Sequence, residues 1–183
     1  MRAEAAQSAW QSLTAHPQTP CNAVQELEAA LSAADGHWQV QFRFHGRIDA
    51  LRVPAPAVAR RGEALWRHLC GELFVMAPDG RYAEFNFSPS GCWAAYLFDG
   101  YRSGMRPAQL SSEPEVTCLR DGQLLQLRAA LRLPDPLAGA APLRVALCAM
   151  VEEEDGTLSC WAQQHAEGRP DFHRAAGFVT LAG

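Results

Sequence analysis

The 183 residues are 48% apolar and 20% charged, with a net charge of −4. That is enough apolar content for one core, and it supplies no basic field to hold nucleic acid or anionic lipid. No window approaches the roughly 20 apolar residues of a helical membrane span.

Residues 1–20, MRAEAAQSAWQSLTAHPQTP, hold no apolar run of the kind that forms a secretory signal, so a cytoplasmic setting is expected. Six cysteines, Cys21, Cys70, Cys92, Cys118, Cys148 and Cys160, include no C-x-x-C pair. Structural zinc normally needs closely spaced ligands, and reduced, buried thiols are expected instead. Residues 1–15 read as a loosely ordered segment with a short helical turn up to about Gln11, ended by the Pro-punctuated His16–Pro20.

From Val24 to Ala34 two periodicities compete. Val24, Leu27 and Leu31 fit a helix, while Leu27, Ala29, Leu31 and Ala33 fit a strand. Trp38, Val40, Phe42 and Phe44 alternate cleanly with polar residues and predict a half-buried strand. His45-Gly46 predicts a turn into a further strand at Ile48–Val53, and Pro54, Pro56 and Gly62 a loop. Cys70–Ala77 and Tyr82–Ser88 flank Pro78-Asp79-Gly80, a strong hairpin signal. Trp93–Phe98 predicts the next strand and Gly100–Pro114 a long surface loop. Val116–Leu119 and Gln123–Leu133 flank Asp121-Gly122. Leu143–Val151 follows the loop Pro134–Pro142 and stops at a solvated acidic run, Glu152–Asp155. Ser159–Gln164 and Phe178–Leu181 supply the last strands. About ten short strands without βαβ alternation predict an all-β fold, an antiparallel β-sandwich forming one domain over 1–183.

Leu65–Met105 holds two of the five Trp, all three Tyr and four of the eight Phe. Its succession W-(x)5-E-L-F, Y-x-E-F-N-F-S-P-S-G and W-A-A-Y-x-F-D-G-Y-R, with SCWAQQH and GRPDFH near the C-terminus, resembles bacterial DOMON-like domains. These are relatives of family 9 carbohydrate-binding modules and of haem- or sugar-binding DOMON domains. The resemblance runs from about His16 to the end. It implies the sandwich fold, and it favours a strand for Val24–Ala34.

The resemblance also implies a ligand site. Family 9 modules hold sugar between two Trp beside a carboxylate and an Arg, and Trp66 with Glu72 looks like the first Trp and the carboxylate. Trp161 is positioned as the second Trp and Arg102 as a candidate Arg. Gln163 and His165 share a strand face with Trp161 at period-2 spacing. Each Trp is equally at home in a core. Cytochrome-type DOMON domains ligate haem through Met and His, for which Met76 and His165 (or His173) are available.

No G-x-S-x-G elbow, phosphate-binding glycine loop or H-E-x-x-H occurs, so no enzyme is expected. Glu72 and Glu84 are the one pair resembling glycosidase acids, and their separation is not fixed by sequence. Asp171 and His173 read as a rigid turn, with Asp171 bonding backbone amides and Phe172 pinning the loop to the core. The expectation is a non-catalytic domain binding a small sugar or glycan end. Haem binding, or protein interaction through Gly100–Pro114, are the alternatives, and the oligomeric state stays open.

Overall fold

The computed structural model describes residues 9–181. Apart from three 3-10 turns and one four-residue helix, Asp135–Ala138, the regular structure there is β. In chain order the strands are β1 Gln11–Ala15, β2 Val24–Ala34, β3 His37–Gly46, β4 Cys70–Met76, β5 Tyr82–Phe87 and β6 Trp93–Phe98. They continue with β7 Arg106–Pro107, β8 Glu115–Asp121, β9 Leu124–Leu131, β10 Arg144–Glu152, β11 Leu158–Ala162 and β12 Val179–Thr180. Every strand pairing is antiparallel. The strands form one curled sheet, β7-β6-β5-β4-β10-β11-β1-β2-β3-β9-β8, with β12 attached to β10. Among the described residues no helix is long and apolar enough to cross a membrane.

The curl has two halves that share β1. Gln11–Leu13 pair with β2, while Thr14 and Ala15 pair with β11. Inward residues of both halves meet in one core. Phe42 and Phe44 of β3 and Leu125 and Leu127 of β9 lie with Leu73 of β4, Phe85 and Phe87 of β5 and Leu147 of β10. Each such side chain contributes about 1.5–3 kcal/mol on burial. The halves approach closely at Gly71, where a Cβ would stand 2.5 Å from the Phe42 ring. A hydrogen there lets the ring pack against the β4 backbone.

Val24–Ala34 is a strand, paired with β3 down to Ala34↔His37. Asp35 and Gly36 close that hairpin with φ of 51° and 74°, as a tight two-residue turn requires. Pairing on both edges, with β1 and β3, outweighs the helix propensity of its Ala and Glu.

Four expectations are corrected. Ile48–Val53 is not a strand: Ile48–Ala50 is a 3-10 turn, and Leu51 makes one isolated bridge to Glu153. β3 already has β2 on one edge and β9 on the other, so no free edge remains for it. Gln11–Ala15, expected to be loose, is β1, because Leu13 enters the core; residues 1–8 of the expected helical turn lie outside the described residues. The acidic run is not wholly solvated. Glu152 is buried between Arg52 at 2.9 Å and His68 at 2.8 Å. Glu153 is buried accepting backbone N–H groups of Asn22 at 2.7 Å and Ala23 at 3.3 Å. Gly100–Pro114, expected as irregular loop, contains β7, which extends the edge of β6.

Candidate functional site

Because Gly71 faces the core, strand alternation sends Cys70, Glu72, Phe74 and Met76 to the outer face of β4. Register places Asn86 beside Glu72 and Glu84 beside Phe74, so β5 presents Tyr82, Glu84 and Asn86 on the same side. That face does not meet bulk water. The chain after β11 folds across it, with Phe172, His173 and Phe178 packed on Phe74 at centroid distances of 6.4, 5.2 and 6.0 Å. Tyr82 lies flat on Phe98, 4.6 Å away and 8° from parallel. The cover is incomplete, and a cavity of about 400 Å³ remains beneath it.

On the sheet side Glu72 and Glu84 form a polar part of the cavity lining, with Met150 of β10 and Cys160 of β11 as an apolar part. Trp66, from the 3-10 turn Leu65–Arg67, forms one wall with an accessible face, braced edge-on against Tyr96 at 5.7 Å. Phe98, Arg102 and Met105 form a second wall, and Pro170–His173 a third. A concave apolar site with a few convergent polar groups is the ordinary form of a small-molecule site.

Asp171 ties the walls together. It accepts hydrogen bonds from the Tyr101 hydroxyl at 2.6 Å, the Arg102 guanidinium at 2.8 Å and the His173 backbone N–H at 3.1 Å. Burial pushes its carboxyl up, but the bonds from Tyr101 and Arg102 prevail and hold it below the usual range. Arg102 itself sits at φ 50°, and its backbone N–H donates to the Tyr82 hydroxyl at 3.1 Å. That phenol lies 2.8 Å from His173 Nδ1. Since the phenol oxygen already accepts from Arg102, its hydrogen is assigned to Nδ1, which leaves the ring hydrogen on Nε2. Burial, helped by the Arg102 charge, lowers His173 to about 4, so the ring is neutral near pH 7. Its approach to Glu84 at 3.7 Å is therefore a dipole facing a carboxyl and not an ion pair.

Glu72 and Glu84 share the covered face of adjacent strands. Burial raises Glu72 well above the ordinary value, and the Glu84 charge raises it further. Burial also raises Glu84, against the opposing Asn86 hydrogen bond at 2.9 Å and the Arg102 charge. Burial thus disfavours ionisation of both carboxyls.

The structure brings Trp66, Glu72 and Arg102 together at this cavity. It does not bring Trp161, Gln163 or His165 there. Trp161 is 6% exposed and belongs to the core, with Nε1 donating to the Ser159 hydroxyl at 3.0 Å. Gln163 spans Leu147 N–H, at 3.2 Å, and the Gln11 side chain. The His165 ring meets Thr14 O at 2.8 Å and lies edge-on to His16. Met76 packs among Phe74, Tyr82 and Phe98. Neither Met76 nor His165 lines the cavity, and His173, the other available histidine, is engaged with Tyr82, so the residues do not fit an axial haem pair here. Period-2 spacing holds along β11, but its phase was open because both faces are apolar: Cys160 and Ala162 face outward and Trp161 inward. Asp171 and Phe172, and His173 outside the haem alternative, are expected from sequence only as a turn, although the GRPDFH motif marks their position at the cavity. The turn reading is seen in the Asp171–His173 bond and in Phe172 against Phe74.

No protein-family profile and no curated protein matches the chain. Among solved structures, a proposed carbohydrate-binding protein from Bacteroides uniformis ATCC 8492 is similar over 95% of this chain and 85% of its own. The TM-score is 0.69 and the identity 18%. A family 9 carbohydrate-binding module from Caldicellulosiruptor kristjanssonii matches over 88% of this chain in two complexes. With cellotriose the TM-score is 0.48 at 9% identity over 75% of the module, and with glucose 0.46 at 10% over 76%. Scores at that level carry no structural argument. The first likeness establishes fold, an all-β antiparallel curled sheet shared with a proposed carbohydrate-binding protein.

Proposed function

We propose that this is a non-catalytic carbohydrate-binding domain, a sandwich of DOMON-like, family 9 module-like descent, whose cavity takes a small sugar or glycan end. The observation that carries the reading is Trp66, the one tryptophan lining the cavity, standing beside two carboxyls and an arginine. A sugar ring lays its C–H face on such an indole while its hydroxyls bond the polar groups. The fold is shared with a protein from Bacteroides uniformis described as carbohydrate-binding, which agrees with this reading.

Placement of the acids supports a binding role over hydrolysis. Glu72 and Glu84 stand on adjacent strands of one sheet face and so lie on the same side of a ligand. Glycosidases need one acid and one ionised carboxylate flanking the scissile bond. Here burial raises both acids and disfavours the ionised form that a nucleophile or base needs. A reducing, cytoplasmic setting belongs to the same proposal, in keeping with six unpaired thiols.

Titration of intrinsic fluorescence with mono- and disaccharides tests it. Trp66→Ala should abolish the response and leave stability within about 1 kcal/mol. Trp161→Ala should cost the roughly 3–5 kcal/mol of an emptied core site. A saturable response that survives Trp66→Ala would remove the indole from the site and the reading with it.

A further inference from the structure

The cavity lining holds three acids, Glu72, Glu84 and Asp171, and its one arginine, Arg102, is paired with the last of them. Glu72 is 2% exposed, yet its only side-chain partner among the described residues is the weak S–H donor of Cys70, 3.5 Å from Oε1. Glu84 has Asn86 and the neutral His173. Arg102 is committed to Asp171 at 2.8 Å, and Arg174 also approaches Asp171 at 3.6 Å. Among the described residues, Arg102 is the one Arg or Lys that lines the cavity. The thiols Cys70, Cys148 and Cys160 and the phenols Tyr82 and Tyr96 all sit above their ordinary values, principally through burial, and are neutral at pH 7.

A buried carboxyl with so few protein donors is one that a ligand in the cavity can satisfy. A neutral sugar does so in part, since its hydroxyls satisfy one ionised carboxylate while the second keeps its proton. A cation lets both ionise. A metal ion does not fit, because no group of three His, Cys, Asp or Glu side chains converges on one among the described residues. An ammonium does fit the arrangement. It is compact, it carries three donors, and it can bond both glutamates while the rest of its molecule lies on Trp66.

We propose that the cavity is built for an amino sugar with a free amine, held with its ammonium between Glu72 and Glu84 and its ring on Trp66. This rests on the sugar-site reading and narrows it to one ligand class. The structure thereby accounts for a second glutamate where a neutral sugar needs one.

Isothermal titration at neutral pH with D-glucosamine, N-acetyl-D-glucosamine and D-glucose tests it, repeated in two buffers of different ionisation enthalpy. Glucosamine should bind at least about 10-fold more tightly than the other two. Its heat alone should depend on the buffer, because the glutamate pair releases protons as the cation enters. Glu72→Gln and Glu84→Gln should each reduce that preference below about 3-fold. Circular dichroism identifies the folded variants, and the buffer dependence of the parent protein needs no variant at all. Glucose or N-acetylglucosamine binding as well as glucosamine overturns this inference and leaves the sugar site standing. No binding of these three or of the neutral disaccharides overturns both.

Discussion

β3 and β4 face each other across the core but differ on their outer faces. β3 turns Gln39, Gln41, Arg43 and His45 outward, and its burial alternates along the strand. β4 turns Cys70, Glu72, Phe74 and Met76 outward, and all seven of its residues are buried. β5 behaves like β4. A strand with long polar side chains on one face needs no further layer, whereas a strand apolar on both faces demands one. The later chain supplies that layer with Phe172, His173 and Phe178. The few polar groups on a face covered in this way are then the ones to inspect, and they are Glu72, Glu84 and Asn86.

The largest expected effect tests whether that second layer is real. Phe74→Ala, on the outer face of β4, should cost about 3–5 kcal/mol, as much as Phe42→Ala in the central core. Gln41→Ala, on the outer face of β3, should stay within about 0.5 kcal/mol. Urea midpoints at unchanged m-value measure all three. A Phe74→Ala cost below about 1 kcal/mol would break the comparison, because a loosely laid cover leaves no cavity to lose.

Next is the tie between the walls. Asp171→Asn keeps the shape but removes the charge that Arg102 and Tyr101 address, and should destabilise by about 1–3 kcal/mol. Loss of sugar binding should accompany it, whereas Gln41→Ala should leave binding intact.

Glu72→Gln should act in the opposite direction. Burial raises the folded-state Glu72 above its unfolded value near 4.3. Its stabilising proton is therefore fully bound below that value, and stability falls as pH rises through the folded value. The variant escapes this loss and should be more stable than its parent by about 1–2 kcal/mol at pH 7, and no more stable near pH 4. Thermal midpoints across that range report the crossover, and a variant less stable at both pH values contradicts the assignment.

His173 gives the smallest effect and the reverse sign. Its folded value is lowered to about 4, so its contribution is complete above the unfolded value near 6.5 and is lost as pH falls through the folded one. His173→Gln should flatten that acid loss by about 1 kcal/mol, screening by partial exposure being included. An unchanged acid slope in the variant would show that the ring titrates freely.

These differences explain how much could be read in advance. β3, β5, β6, β9 and β10 were legible because alternation or a tight Asp-Gly turn fixes them locally. Trp66, Glu72 and Arg102 were legible as neighbours only through motif resemblance. Trp161 takes the core position that the sequence leaves open beside the ligand position the resemblance implies, since Cys160 and Ala162 are also apolar and period alone cannot choose the phase. Ile48–Val53 looks extended, but whether an edge is free to receive it depends on β2 and β9, which is decided far away in sequence. The burial of Glu152 was hidden for the same reason, as its partners Arg52 and His68 lie about 100 and 84 residues earlier.

The divided pairing of β1 bears on how the protein is made. Thr14 waits for Ala162, which leaves the ribosome 148 residues later. Until then one edge of the N-terminal strand is open, and Phe74, Tyr82 and Ala146 have no lid. Ladders between such distant segments close slowly, and apolar surface left bare meanwhile invites other chains. Nascent chains arrested before about residue 158 should therefore be held by chaperones or aggregate, even though most of the central core residues have already been synthesised.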